Sequence, residues 1–242
     1  MTDRPILFSG PMVRALLDGR KTQTRRDLTK TFARYPQLEG YETNGTLKPV
    51  DGRKVPCVEF VHSQLGLWDP ETNPGGRSGW YVPLKAAVGD RLYVREHWRS
   101  RSDLDNIAPR EMMSGVAVWY EADGKGPATD LHMPGKHRQA MHMPRWASRL
   151  TLTVTDVRVE RLQDISEQDC VAEGIEWVTL TSSGNFYRNF DAPDLPIMAY
   201  GAYRSLWNHI NGTDAWDANP WVVAYTFTVQ PGNIDVLSKE AA

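Results

Sequence analysis

Apolar and polar residues alternate strictly through Leu150-Thr151-Leu152-Thr153-Val154-Thr155, and Val157 and Val159 continue the apolar side. A period of two predicts a strand with one buried face over 150–159. Downstream the period changes. Ser166, followed by Glu167 and Asp169, has the form of a helix N-cap, and Val171-Ala172-Glu173-Gly174 has the form of that helix's end. Tyr203, Leu206, Trp207 and Ile210 fall at core spacing for a helix over 200–210, and 220–229 reads as a final strand. The chain opens as a strand entering a helix: Ile6, Leu7 and Phe8 are apolar, Ser9 can cap, Pro11 suits a first turn, and Met12, Ala15 and Leu16 lie at helical spacing before the Asp18-Gly19 stop. After Gly89-Asp90, Leu92 and Val94 predict a strand running on to His97 or Trp98, and 116–120 predicts another.

Stretches rich in Pro, Gly and polar residues separate these elements at about 28–85, 99–144 and 178–199. They predict irregular structure with short hairpins and read as insertions into one domain spanning 1–242. Several short strands divided by turns, with two or three helices outside, predict an α+β fold built on a small barrel rather than a doubly wound parallel sheet. Neither a Gly-x-Gly-x-x-Gly nor a Walker-type loop occurs, so dinucleotide and nucleoside-triphosphate sites lack a motif.

Composition narrows the class. No stretch approaches the roughly 20 continuous apolar residues of a membrane span, and Met1-Thr2-Asp3-Arg4-Pro5 lacks the pattern of a signal peptide, so a cytoplasmic protein is expected. Cys57 and Cys170 stand far apart and outside any Cys-x-x-Cys pair, which disfavours a disulfide framework or a cysteine zinc site. The net charge is -2, but residues 1–161 carry 25 Lys and Arg against 19 Asp and Glu, whereas residues 162–242 carry 3 against 11. Of the 28 basic residues 20 are Arg, the side chain suited to phosphate and base contact, which points weakly to a nucleotide-like partner. A merely solubilising Arg-rich surface is the competing account.

One segment stands out for its chemistry. Arg20-Lys21-Thr22-Gln23-Thr24-Arg25-Arg26 contains no apolar residue. Such a run after a helix is ordinarily a solvated loop, although alternating threonines also suit a short strand, which would place Thr22, Thr24 and Arg26 on one face. With Gly19 in front, the run resembles the Gly-x-Lys-x-x-x-x-Arg signature of the ASCH family, whose members have a PUA-like β-barrel. Four further segments fit that family in order: Gly89 to Glu96, Leu150 to Val159, Leu162 to Gly174, and Asn219-Pro220-Trp221-Val222 with the closing strand. The long form, with His142-Met143-Pro144-Arg145-Trp146-Ala147-Ser148-Arg149, is most similar to bacteriophage and prophage members.

Within the family the Lys-x-x-Thr-x-Arg run resembles the small bacterial amidohydrolases that remove the acetyl group from N(4)-acetylcytidine with a lysine, a threonine and a glutamate. The resemblance implies Lys21, Thr24 and Glu173 as catalytic residues. Amide hydrolysis needs a nucleophile, a base and donors for the oxyanion. Thr24 offers the hydroxyl; Lys21 can take its proton once burial or Arg25 and Arg26 favour the neutral amine. Glu173 either orients the lysine or bonds the cytosine edge, the alternative being an exposed helix-end carboxylate. Arg26 is a candidate for the oxyanion, a phosphate or the ribose, with Arg25 beside it as a substrate contact. Glu96 competes for the carboxylate role, unless it forms a structural ion pair with Arg95 or Arg99. Trp98, Trp146 and Trp221 are candidates to stack on a base.

His132, His137 and His142 recur every five residues, a spacing that suits neither a helix face nor a strand face, so no metal site is expected, nor a cofactor. The expected partner is a nucleoside or single-stranded nucleic acid. The leading expectation is an amidohydrolase acting on the exocyclic amine of a cytidine-type nucleoside. The runner-up is a noncatalytic reader of RNA or modified nucleic acid; a nuclease has less support, because no carboxylate cluster for two metals is evident.

Overall fold

A computed structural model describes residues 2–35, 41–43, 45–48, 56–62, 79–124, 133–181 and 184–240. In the first half the elements are β1 (Asp3–Leu7), α1 (Gly10–Leu17), β2 (Gln23–Asp27), α2 (Thr29–Phe32), β3 (Tyr41–Glu42), β4 (Leu47–Lys48), β5 (Cys57–His62), β6 (Gly79–Pro83), β7 (Arg91–Arg95), β8 (Trp98–Arg99) and β9 (Trp119–Tyr120). The second half contributes β10 (Leu150–Arg161), α3 (Glu167–Ala172), β11 (Trp177–Thr181), β12 (Gly184–Tyr187), α4 (Ala199–Asn211), β13 (Trp221–Pro231) and α5 (Ile234–Glu240). The class is α+β, organised on a five-stranded mixed sheet of order β1-β7-β10-β13-β2. Among the described residues this sheet is an open path, and no closed barrel is formed.

The residues group into two compact units, each assembled from separated segments: 1–22, 89–154 and 227–242 in one, 23–88 and 155–226 in the other. In the first, β1 runs parallel to β7 from Asp3 opposite Arg91 to Leu7 opposite Arg95, and β10 begins antiparallel to β7 with Thr151 opposite Tyr93. Burial of Phe8, Val13, Leu16, Leu92, Val94, Leu150, Leu152 and Ile234 gives this unit its core. Ser9 occupies the N-cap position of α1 but makes no side-chain capping bond, while Gly19 takes the left-handed conformation (φ +72°) that ends the turn. In and beside the long insertion, Trp98, Met112, Met143 and Ala147 pack together in a separate apolar cluster.

In the second unit β13 runs antiparallel to β2, from Val222 opposite Asp27 to Thr226 opposite Gln23. Helices α3 and α4 bury Cys170, Ala202, Tyr203 and Trp207 in a cluster that includes Leu162, Ile165, Trp216 and Val222. The Ser166 side chain accepts from the Asp169 amide at 3.1 Å, so the predicted cap is in place. The insertions carry hairpins: β5 with β6 flanked by β3 and β4, and β11 with β12.

Several boundaries differ from expectation. The first strand begins at Asp3, and the alternating strand runs to Arg161. The strand expected over 91–98 divides, because Phe8 N–H bonds the Arg95 carbonyl at the end of β7 while Trp98 pairs with Tyr120 instead. The strand expected over 116–120 shortens to its last two residues.

Candidate functional site

Four residues of the polar run after α1 are buried, while Thr22 among them is exposed. Lys21 is 1% exposed, Thr24 2%, Gln23 3% and Arg25 4%, although nothing in the run is apolar. Burying such groups is costly unless each finds a partner. For Gln23 and Arg25 the partners come from β13, from the far half of β10 and from α3 with its C-cap.

Gln23 and Arg25, two apart on a strand, share a face, and the Arg25 guanidinium donates to the Gln23 side-chain carbonyl. Gln23 Nε2 in turn donates to Asp169 Oδ1 at 3.2 Å and to Thr226 Oγ1 at 3.1 Å. Arg25 reaches three carboxylates. Its Nε and Nη2 grip Glu160 Oε1 at 3.0 and 2.6 Å, Nη2 also donates to Asp169 Oδ2 at 3.1 Å, and Nη1 donates to Glu173 Oε1 at 3.3 Å. Asp169 additionally accepts from Arg158 at 3.0 Å.

Burial works against the Arg25 cation, but Glu173, Tyr203 and Glu160 outweigh it and hold its pKa above the ordinary arginine value. For Arg26 burial wins, and its pKa falls below the ordinary value despite Glu173, Tyr203 and Tyr225. Burial alone would raise the Asp169 carboxyl, yet Arg158, Arg25 and Gln23 hold it below the usual range. The Tyr203 hydroxyl is pushed well up by burial and by Glu173, and burial pushes the Cys170 thiol up to about 12.

Glu173 is the C-cap residue of α3 and is 7% exposed, so it is not a solvated helix-end carboxylate. Thr24 lies opposite Tyr225 in the β2–β13 register. Of the expected site residues, Arg25 and Glu173 are brought into direct contact. Lys21 belongs to the other unit, where its backbone N–H bonds the Ala15 carbonyl at 2.9 Å and its Nζ lies 5.7 Å from the centre of the Phe8 ring.

Glu96 is also enclosed, at 1% exposure, and its partner is neither Arg95 nor Arg99. Arg149 takes both its oxygens, at 2.8 and 3.0 Å, grips Asp123 at 2.7 and 3.0 Å, and lies 3.9 Å over the Tyr120 ring. Burial raises the Glu96 pKa above the usual carboxylate value, with Arg149 opposing. Trp98 is 0% exposed, enclosed in the insertion's apolar cluster, against which Trp146 packs. Trp221 lies under the Arg161 guanidinium at 4.5 Å, so one face of its ring is already covered.

His137 stacks on His97 with ring centres 4.9 Å apart, whereas His132 lies outside the described residues. Among the described residues no three His, Cys, Asp or Glu side chains are grouped as metal ligands, and no helix is long and apolar enough to cross a membrane. Many arginines are paired with carboxylates: Arg91 and Arg145 with Asp3, Arg149 with Glu96, and Arg25 and Arg158 with Asp169, although Arg145 and Arg158 stay exposed to solvent. Sequence reasoning missed Glu160, Asp169, Arg158 and Arg149. Only the four-residue spacing of Asp169 and Glu173, which puts two carboxylates on one helix face, was a readable signal.

No protein-family model, curated protein or solved structure matches the chain.

Proposed function

We propose that this chain is an amidohydrolase that removes an acyl group from the exocyclic amine of a cytidine-type nucleoside, the activity that its resemblance to the ASCH family implies. The observation that carries the reading is the burial of the polar run: Lys21, Gln23, Thr24 and Arg25 are each at most 4% exposed. A solvated turn would leave these groups in water, and their enclosure is the arrangement a reaction site uses to exclude it.

The resemblance supplies the roles. Thr24 Oγ attacks the acyl carbon while Lys21 takes the hydroxyl proton; the carbonyl π pair moves onto oxygen, and stabilising that oxyanion is the role this reading gives Arg26. Collapse breaks the C–N bond, and the proton held by Lys21 goes to the departing amine. Water then hydrolyses the threonine ester, releasing the carboxylic acid and restoring the hydroxyl. Glu173 is the supporting carboxylate.

The test is hydrolysis of N(4)-acetylcytidine and bulkier acyl analogues, followed by ultraviolet absorbance, for wild type beside Lys21→Ala, Thr24→Ala and Glu173→Ala. Turnover lost in the first two variants is the expected result. Absence of turnover by folded wild type refutes the reading and favours a noncatalytic reader, which should bind oligonucleotides with a steep salt dependence. The pairing of Arg91, Arg145, Arg149 and Arg158 with carboxylates offsets part of the positive charge such a reader would offer.

A further inference from the structure

The three carboxylates around Arg25 do not hold it equally. Glu160 grips the guanidinium through two nitrogens at 2.6 and 3.0 Å, Asp169 meets it at 3.1 Å, and Glu173 at 3.3 Å. The Arg25 side chain is itself 0% exposed, while Glu160 and Asp169 are 17% and 19% exposed and Glu173 6%. The two closer acids therefore lie toward solvent, and the longer contact is the more enclosed. Asp169 is also tied to Gln23 at 3.2 Å and to Arg158 at 3.0 Å.

Asp169 and Glu173, four apart, would repel on one helix face without a cation between them. Arg25 is that cation, and its planar fork serves three acids at once, which an ammonium cannot do with the same geometry. We infer that Arg25 is a positioning residue rather than a substrate contact: Glu160 and Asp169 anchor its guanidinium, and the anchored guanidinium fixes the Glu173 carboxylate for the bound nucleoside. The inference rests on the amidohydrolase reading for the task that Glu173 performs. It departs from the expectation that Arg25 touches substrate.

The experiment measures kcat and KM on N(4)-acetylcytidine for Arg25→Met, Arg25→Lys, Asp169→Asn, Glu173→Gln and the Arg25→Met/Glu173→Gln double variant, with thermal midpoints as a check on folding. Asp169→Asn, which keeps the side chain's shape, should lower kcat about tenfold with KM within about twofold. Arg25→Met should match Glu173→Gln, the double variant should lose no more than either alone, and Arg25→Lys should recover part of the loss.

A raised KM with unchanged kcat for Arg25→Met would overturn the inference and return Arg25 to the substrate, while losses that multiply in the double variant would also overturn it. If wild type shows no turnover, calorimetric binding of N(4)-acetylcytidine separates the two ideas. Binding weakened equally and non-additively by Arg25→Met and Glu173→Gln upholds the positioning role while the hydrolase reading falls; no binding by wild type ends both.

Discussion

Removing Arg149 should destabilise the protein in a way that depends on pH. Glu96 is 2% exposed as a side chain and has both oxygens on Arg149, so Arg149→Met leaves a buried carboxylate without its cation. Breaking a buried pair from one side costs about 3–5 kcal/mol. Arg149 is 23% exposed and its other partner, Asp123, 42%, which argues for the lower end, about 3 kcal/mol at pH 8. For a chain of this length that corresponds to a midpoint lower by about 6–12 °C.

The folded-state pKa of Glu96 already lies above its ordinary value, burial outweighing Arg149. A carboxylate raised on folding binds its proton more tightly in the native state, so stability falls as pH rises from the ordinary carboxylate range through the raised value. Loss of Arg149 deepens that fall and extends it upward. As pH falls back toward the ordinary carboxylate range, protonation of Glu96 relieves the unpaired charge, and the loss should shrink toward the contribution of the guanidinium over Tyr120, about 1 kcal/mol. Guanidinium chloride denaturation followed by tryptophan fluorescence at pH 5 and pH 8 measures both values. An equal loss at the two pH values, or no recovery in Arg149→Met/Glu96→Gln relative to Arg149→Met, would refute the reasoning.

Two further outcomes are expected. Gly45 has φ +81°, and a Cβ there would lie 2.5 Å from the Val159 carbonyl oxygen and 2.9 Å from the Trp221 ring, so Gly45→Ala should cost about 2 kcal/mol and alter tryptophan emission; a stability change under about 0.5 kcal/mol would contradict that close approach. Cys57 and Cys170 are both buried, and the Cys170 thiol is pushed up to about 12, so Ellman's reagent should label neither in the native protein and both on unfolding. Rapid native labelling at one equivalent would show that one of the two is accessible.

What could be read in the sequence was local. Strict alternation at 150–155 announced β10, and Ser166 announced the start of α3, because strand period and capping depend on residues a few positions apart. The burial of Lys21, Gln23, Thr24 and Arg25 ran against the polarity of the run, and only the resemblance to a family signature weighed toward a site. The alternation of Gln23 and Arg25 was present in the sequence, but Glu160 and Asp169 stand more than 130 positions away and no local rule selects them. Glu96 shows the same limit: the neighbouring Arg95 and Arg99 were the obvious partners, yet Arg99 bonds Glu121 and Arg95 the Met141 carbonyl, leaving the carboxylate to an arginine 53 positions on. Trp98 was one of three tryptophans that could stack on a base, and nothing in the sequence chose among them; the structure encloses it in an apolar cluster with Met112, Met143 and Ala147.

Because each compact unit is stitched from distant segments, synthesis on the ribosome imposes an order on folding. The unit that begins the chain closes only when 227–242 have emerged, since Gly232 N–H must reach the Arg149 carbonyl and Phe227 N–H the Thr22 carbonyl. Until then β1 can pair with β7, but Thr151 waits for the carbonyl of Gly232 and the core lacks Ile234. Nascent chains stalled before residue 227 should therefore remain open to proteases and chaperones, and truncation from the C-terminal end should act as an all-or-none defect rather than a gradual one.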